Sequence, residues 1–321
     1  MIQGGFLVVD KPPGITSHDV VGTIRAVTGI KKVGHTGTLD PFATGVLPLA
    51  IGRSTRLIQF LDERTKTYEA TVQLGASTDT GDPTGDVVAS APVPTLDAAH
   101  VQEVLRAFEG DRMQRPPAYS AVKVNGKRLY KYAREGQAVQ AEPRPIHIVQ
   151  MVLDGISGDS IEFSVTCSRG TYVRVLAEEI AKAMGTEGHL SALRRSRSGP
   201  FELAQALSFP ELAKLVADRD DWQAVLRPPR GVERVPWAPR DEVWQQLQSR
   251  LQAPASKLEH LPVLQLTGLQ REGLQRRGTT PPHPPGVSVG ELFVARSGDE
   301  LVAVLRREEH RTKIARMFAL Q

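Results

Sequence analysis

Only one cysteine, Cys167, occurs among the 321 residues. A single thiol excludes an intramolecular disulfide and a zinc site built from several cysteines. No segment stays apolar for the roughly 18 residues that a membrane-spanning helix requires, and the first residues lack the basic and apolar regions of a signal peptide. We therefore expect a soluble, cytoplasmic protein that does not attach to a membrane.

Nucleotide-binding fingerprints are also missing. A P-loop needs Gly-Lys followed by Ser or Thr, whereas Gly126-Lys127 is followed by Arg128. No G-x-G-x-x-G follows a predicted strand, which argues against dinucleotide binding. The 40 basic and 36 acidic residues leave a net charge of only +4, which permits a nucleic-acid partner without requiring one.

The composition is that of an ordinary globular protein, 40% hydrophobic and 24% charged, and the length suggests about two domains. Apolar runs and alternation predict strands at 6–9, 46–51, 68–74, 146–153 and 161–167. Helical spacing predicts two helices that begin at the cap residues Ser17 and Thr95, and a third over 172–184. Because strands and helices do not alternate regularly, we expect an α+β fold with a mixed, mainly antiparallel sheet and flanking helices.

Turn-forming residues divide the chain further. They predict loops at 34–45 and 78–85, and a strand at 119–124 that leads into a tight turn at Asn125-Gly126. A stretch rich in proline and arginine over 227–240 predicts a domain boundary. We expect one domain over residues 1–226, and a linker and small β-rich domain over 227–321 with strands at 292–295, 301–305 and 315–320.

The 34–45 loop, GHTGTLDPFATG, contains one carboxylate, Asp40, five residues after His35. An Asp-Pro pair most often caps a turn, and one His with one Asp supplies too few ligands for zinc, so we expect no metal. A single carboxylate in a loop can alternatively act as a nucleophile or a base. Such a group needs a cation beside it, and Arg174 is the candidate, although an isolated arginine more often forms a surface salt bridge.

Lysine and arginine fall in four groups, and tyrosines interleave the second. The groups are Lys31 and Lys32; Lys123, Lys127, Arg128, Lys131 and Arg134; Arg194, Arg195 and Arg197; and Arg306, Arg307, Arg311, Lys313 and Arg316. One such cluster is usually a solvated face, but cations that alternate with Tyr119, Tyr130 and Tyr132 suit phosphate contacts and base stacking. The four groups together predict an RNA or DNA partner.

Six motifs in a fixed order resemble the TruB-type tRNA pseudouridine synthases. They are DKPPGITSHD, GHTGTLDPFATGVLPLAIGRSTR, KTYEATVQLG, TDTGDPTG, PPAYSAVKVNGKRLYKYAREG and CSRGTYVRVLAEEI. The resemblance covers most of the chain up to Ser208, and the C-terminal part resembles an RNA-binding PUA-like domain more loosely. It implies that the protein isomerises a uridine in the T-arm loop of tRNA, that tRNA is its partner through the T-arm and elbow, and that no cofactor is needed.

The resemblance also implies two overlapping sets of site residues. The catalytic set is Asp40, Tyr68 and Arg174, and the substrate-binding set is His35, Tyr68, Tyr172 and Leu193. In this assignment the aspartate reacts, the arginine pairs with it, the tyrosines and the leucine enclose the uracil, and the histidine enters the RNA. The family pattern has an acidic residue where this sequence has Lys131. The difference lies in a turn that is expected to face the RNA, and it does not affect the reacting residues.

Pseudouridine formation breaks the bond from N1 to C1′, rotates the base and joins C5 to C1′, without a redox step or a group donor. The base must first leave the RNA stack and enter a pocket that excludes water. Asp40 would begin the reaction by attacking the substrate or by removing a sugar proton, and Tyr68 is a candidate for helping to remove the C5 proton.

Two additional interpretations remain open. One is that the protein also helps tRNA to fold, because opening the tRNA elbow allows a misfolded molecule to refold. The other is that it depends on guide RNA and partner proteins, as some relatives of the family do. The two-domain length favours a stand-alone, monomeric enzyme with no obligatory protein partner.

Overall fold

The computed structural model describes residues 4–228, 231–232 and 235–318. Its strands are β1 (Gly5–Lys11), β2 (Val33–His35), β3 (Thr44–Ile51), β4 (Thr65–Leu74), β5 (Ala76–Thr78), β6 (Val87–Ser90), β7 (Gly110–Gln114), β8 (Lys123–Val124), β9 (Lys127–Arg128), β10 (Arg144–Ser157), β11 (Ser160–Ser168), β12 (Gly188–Ser198), β13 (Phe201–Glu202), β14 (Leu207–Ser208), β15 (Val263–Gln265), β16 (Leu292–Ser297), β17 (Glu300–Arg307) and β18 (Thr312–Met317). Its α-helices are α1 (Ser17–Thr28), α2 (Ala98–Arg106), α3 (Leu129–Arg134), α4 (Val173–Ala183), α5 (Phe209–Ala217), α6 (Trp222–Leu226), α7 (Arg240–Gln248) and α8 (Gly268–Glu272).

Most of these strands belong to one large sheet. Within the described ranges it has ten strands in the order β14-β1-β3-β12-β4-β11-β10-β7, with β13 paired to β12 and β2 paired to β3. Neighbours are antiparallel except for β1 with β14 and β3 with β12, which are parallel. A separate sheet is formed by β15 to β18. The predicted α+β class with a mixed, mainly antiparallel sheet and a β-rich C-terminal part is therefore confirmed.

The first strand is buried on both faces. Leu7 and Val9 face a core that the helices cover, whereas Phe6 and Val8 face a second core that includes Val304 of the C-terminal sheet. A strand covered on both sides shows a continuous apolar run, which is why no alternation is visible at 6–9. The C-terminal sheet therefore packs on the back of the large one.

The pattern at β4 matches the predicted alternation. Tyr68, Ala70, Val72 and Leu74 are buried, whereas Glu69 is exposed. One face of this strand thus lies in the core, and Tyr68 lies on that face.

The tight turn at 125–126 is also confirmed. Asn125 and Gly126 both have positive φ, 49° and 80°, as expected for the two-residue turn of a hairpin. The strand predicted over 119–124 is shorter than expected, because only Lys123–Val124 pairs with β9.

Two predicted helix caps are wrong. Thr16, not Ser17, caps α1, because its side chain accepts a hydrogen bond from the Asp19 backbone while the Asp19 carboxylate binds the Thr16 backbone. Helix α2 follows Asp97 rather than Thr95. Polar residues that can cap a helix occur close together at both places, and sequence alone does not choose between them.

The region beyond residue 226 contributes to both cores. Val243 and Leu247 of α7 lie in the helix-covered core, so the predicted boundary is followed by a helix that packs on the first part of the chain. Residues 229–230 and 233–234 of the predicted linker, and the end of the predicted strand at 315–320, lie outside the described residues. The division into two domains at 226/227 remains a prediction.

No helix within the described ranges is both long and apolar enough to cross a membrane.

Gly45 allows a close approach between β3 and β12. Its φ is +99°, and a Cβ atom there would lie 2.3 Å from the backbone oxygen of Arg195. We predict that Gly45→Ala lowers the free energy of unfolding by on the order of 3 kcal/mol, because backbone on both sides must move. Urea denaturation measures the loss. Gly14→Ala is the matched control, since Gly14 has φ +80° but open space around it, and should lose about 1 kcal/mol. Equal losses would contradict the steric explanation.

Candidate active site

A cavity of about 680 Å³ lies where several loops meet the middle of the large sheet. Its walls include the loop between β2 and β3, strand β4, the loop after β5 and the start of α4. Every site residue proposed from the sequence lines it: His35, Asp40, Tyr68, Tyr172, Arg174 and Leu193. The fold thus brings together residues that are widely separated along the chain.

The side chain of Arg174 is only 4% exposed, and its three nitrogens bind three different segments. Nε donates to Asp40 Oδ2 at 2.9 Å. Nη1 donates to the carbonyl of Thr80 at 2.7 Å, and Nη2 donates to the carbonyl of Tyr119 at 2.9 Å. A buried guanidinium needs these partners to offset its desolvation, so Arg174 joins α4, the Asp40 loop and two further loops.

Asp40 is 34% exposed and faces the cavity, while its neighbours in the chain are tightly held. The backbone N–H of Leu39 donates to Ser17 Oγ at 2.9 Å. The carbonyl of Pro41 accepts a hydrogen bond from Lys11 Nζ at 3.0 Å. A loop without regular structure thereby presents its carboxylate at a fixed place.

Lys11 is fully buried beneath this loop. Besides Pro41, its ammonium binds the carbonyls of Pro12 at 2.9 Å and Ile15 at 2.7 Å. Burial lowers the pKa of Lys11 to about 8, and the nearby Asp40 carboxylate opposes that shift. No sequence pattern identified this residue as part of the site.

A second carboxylate, Asp82, lies behind the arginine. Its Oδ2 is 3.8 Å from Arg174 Nη1, and its side chain is 8% exposed. Its Oδ1 accepts hydrogen bonds from Thr80 Oγ1 at 2.8 Å and from the Thr84 backbone at 3.0 Å. The sequence indicated only a turn-rich loop here, and nothing in its spacing connected Asp82 to Asp40.

Two tyrosines form the aromatic walls of the cavity. Burial raises the pKa of the Tyr68 phenol and of the Tyr172 phenol, so both remain protonated at neutral pH. The amide of Gln114 holds Tyr172 at both backbone atoms, at 2.8 Å to its N–H and 3.1 Å to its carbonyl. Leu193, paired across the sheet with Ala70, supplies an apolar surface in the same cavity.

Arg195, a member of the third basic group in the sequence, is fully buried and does not lie on the protein surface. Its Nε donates to the carbonyl of Val46 at 2.8 Å, and its Nη2 donates to the carbonyl of Gly37 at 3.1 Å. Arg194 of the same group pairs with Asp10 at 2.7 Å. These cations hold the fold together.

His35 lies at the end of β2, and its ring meets that of His18 edge to face with centroids 6.0 Å apart. Burial, with the neighbouring cations, lowers the pKa of His35, so its ring is neutral at pH 7. Its Nδ1 is buried and has no hydrogen-bond partner within the part of the chain that the structure describes. A neutral ring at the edge of the cavity suits a contact with an unpaired base.

We predict that Arg174→Lys destabilises the protein by on the order of 3 kcal/mol, because a lysine keeps the charge but cannot reach all three acceptors of the guanidinium. The Thr80 and Tyr119 carbonyls would then lose their buried donors. Urea denaturation with unchanged m-value measures the effect. If Arg174→Lys is as stable as the wild type, the positive charge alone, without the planar guanidinium and its several donors, is enough to hold the loops.

Two family models and several known proteins are similar to this chain in sequence. A family model described as TruB family pseudouridylate synthase (N terminal domain) matches residues 25–173, and one described as tRNA pseudouridylate synthase B C-terminal domain matches residues 174–230. The tRNA pseudouridine synthase B of Geobacter sulfurreducens is 50% identical over 211 residues, which are 66% of this chain and 69% of that protein. The protein of the same name from Bacillus licheniformis is 43% identical over 274 residues, 83% of this chain and 85% of that one.

A solved structure of a Cbf5-Nop10-Gar1 complex is also similar, with a TM-score of 0.66 and 27% identity over 98% of this chain and 84% of that one. The similarity extends through the C-terminal sheet, since nearly the whole chain is covered. The resemblance drawn from the motifs is thus confirmed, and the chain belongs to the TruB family of pseudouridylate synthases, which are RNA-modifying isomerases.

Proposed function

We propose that this protein converts a uridine in the T-arm loop of tRNA to pseudouridine, with Asp40 as the catalytic carboxylate. The observation that carries the proposal is the pair of Asp40 and Arg174 on the wall of a cavity of about 680 Å³, which has the size of a small-molecule site. Relatives that this chain matches are named tRNA pseudouridine synthase B, which supports tRNA as the substrate.

The target base has to leave the RNA stack to reach the carboxylate. In the cavity it would stack against Tyr68 and Tyr172, while Leu193 excludes water. Exclusion of water matters because the detached uracil must rotate and rejoin the sugar before it is lost. His35, neutral and at the cavity edge, would occupy the space that the base leaves in the RNA.

Asp40 has two chemical routes open to it. It would attack the substrate, or it would remove a proton from the sugar. Both routes need an oriented carboxylate, and the hydrogen bond from Arg174 to Oδ2 supplies the orientation. We assign the reaction to the other oxygen, Oδ1.

The last step removes a proton from C5 of the rejoined base. Because burial raises the pKa of Tyr68, its phenol is protonated and would act as a relay: it accepts the C5 proton as it passes its own proton to the Asp40 carboxylate, whose charge acts on it. The alternative role for Tyr68 is to stack against the uracil, which requires no proton transfer.

The mouth of the cavity is basic and aromatic. Arg128 and Arg134 lie beside the ring of Tyr130, with 6.0 and 5.4 Å from guanidinium carbon to ring centroid, and all three line the cavity. Cations around a half-buried ring at the cavity wall suit phosphate contacts and base stacking, so we assign this surface to the T-arm.

The C-terminal basic group contributes less to RNA binding in our proposal. Glu308 pairs with Arg311 at 2.7 Å and with Lys313 at 3.6 Å, and Arg306 donates to the Gly290 carbonyl. Charges that are paired within the protein release fewer counterions on RNA binding. We further propose that the protein acts as a monomer without guide RNA and that its binding helps tRNA to refold.

We predict that Asp40→Asn lowers kcat for pseudouridine formation by at least roughly a hundredfold, because the amide is neither a base nor an equivalent nucleophile. The assay uses purified protein and an unmodified tRNA transcript alone, with the modified nucleotide mapped. Affinity for tRNA should stay within about twofold, since the amide keeps the shape of the carboxylate. Near wild-type turnover by this variant would refute the assignment, and failure of the wild type without guide RNA would refute stand-alone action.

The same Asp40→Asn protein separates catalysis from help in folding. We expect it to speed refolding of a misfolded tRNA as well as the wild type does, because refolding needs binding and not chemistry. If the inactive variant does not speed refolding, binding is not the source of that activity.

We predict that Tyr68→Phe keeps the stacking surface but loses the proton relay, so that kcat falls by roughly a hundredfold while KM changes little. Steady-state kinetics on the same transcript measure both constants. Full activity would leave Tyr68 with a packing role only.

A further inference from the structure

Lys66 is a cavity-lining cation to which the proposed chemistry gives no task. It lies on β4 two residues before Tyr68, so the two side chains are on the same face of the strand. Lys66 pairs with Cys167 of the neighbouring strand β11. Arg169 directly follows β11, and its backbone N–H donates to the carbonyl of Arg64. Lys66 is therefore anchored in regular structure, with its amine directed to the wall of the cavity.

The amine of Lys66 has no hydrogen-bond or ion-pair partner within residues 4–228, 231–232 and 235–318, although much of the side chain is buried. The other buried cations of the site differ, because Lys11, Arg174 and Arg195 each bind three protein acceptors. Burial is the main reason that the pKa of Lys66 falls to about 8. Because Lys66 lines the cavity and its amine has no acceptor in the part of the chain that the structure describes, the amine can bind an acceptor that arrives with a ligand.

The amine of Lys66 lies close to Gly37 in the loop that carries Asp40. A Cβ atom on Gly37 would lie 2.7 Å from Lys66 Nζ, so the glycine of the HTGTLD loop leaves room for the ammonium.

The charges around Lys66 favour an anion. Arg195 and Arg169 act on it as like charges, and Glu63 is the carboxylate that opposes them. Burial raises the pKa of the Glu63 carboxyl, and the nearby cations oppose that shift. Arg195 is occupied by backbone carbonyls, whereas the amine of Lys66 has no acceptor within the described residues.

We propose that Lys66 binds a backbone phosphate that flanks the everted uridine, an inference that rests on the proposed function. Two positions along a strand span about 7 Å. A uracil stacked on Tyr68 therefore has its own sugar-phosphate backbone within reach of Lys66. The contact holds the nucleotide from the side opposite its reacting base and leaves Asp40 free for chemistry.

The test uses a T-arm hairpin RNA in which one linkage, on the 5′ or the 3′ side of the target uridine, is a neutral methylphosphonate. Lys66→Met should raise KM about tenfold and leave kcat within about twofold, as expected for loss of a charged contact made equally in ground and transition states. Lys66→Arg should restore most of the affinity. Lys214→Met, which removes an exposed lysine from α5 away from the cavity, is the matched control and should behave as the wild type.

The modified RNA identifies the ligand atom. At one of the two linkages the methylphosphonate should raise KM of the wild type about tenfold but that of Lys66→Met less than about twofold, because the variant has already lost the contact. Thermal unfolding of Lys66→Met should be close to that of the wild type, since the change removes no hydrogen bond or ion pair within the described residues.

Three results would overturn the proposal: an unchanged KM for Lys66→Met, a fall in kcat without a rise in KM, or equal effects of each methylphosphonate on both proteins. The last would mean that Lys66 does not contact either phosphate. Wild-type turnover of the unmodified hairpin is measured in the same series, and its failure would instead reject the proposed function.

Discussion

The cavity depends on one guanidinium, that of Arg174. Its three hydrogen bonds reach Asp40, Thr80 and Tyr119, which lie on separate loops. Burial makes each of these bonds obligatory, because an unpaired acceptor or an uncompensated charge in this place would be strongly unfavourable. The arginine therefore determines both where the loops lie and which way the carboxylate faces.

Two other buried cations extend the same principle. Lys11 binds the loop around Asp40 at the carbonyl of Pro41, and Arg195 binds it at the carbonyl of Gly37. Backbone carbonyls that would otherwise be satisfied by water are satisfied by fixed side chains. A loop rich in glycine and threonine can then be rigid without being a helix or a strand, and its carboxylate is held in one orientation.

Satisfied and unsatisfied groups occupy different parts of this cavity. Asp40 and Arg174 have their partners within the protein, whereas His35 Nδ1 and the Lys66 amine have none within the described residues. In our proposals RNA supplies those partners: bases beside His35 and a phosphate at Lys66. In these proposals the reacting carboxylate is held by partners within the protein, whereas these two groups that contact RNA have no protein partner in the described part of the chain.

Local sequence patterns determined much of this protein. The apolar runs predict β1 and β3, the alternation predicts β4, and Asn125-Gly126 predicts the hairpin turn, because each pattern reports burial or a backbone angle within a few residues. The motifs, read as a family resemblance, named the residues that line the cavity.

Only the tertiary structure decided the partners of Lys11, Asp82 and Arg195, the unpartnered state of Lys66, and the packing of α7 in the first core. These depend on strand order: β12 lies between β3 and β4, which brings Arg195 beneath the Asp40 loop from far along the chain. Hydrogen bonds between distant segments have no periodic signature, since a lysine or arginine looks the same in sequence whether it faces solvent or binds a buried carbonyl.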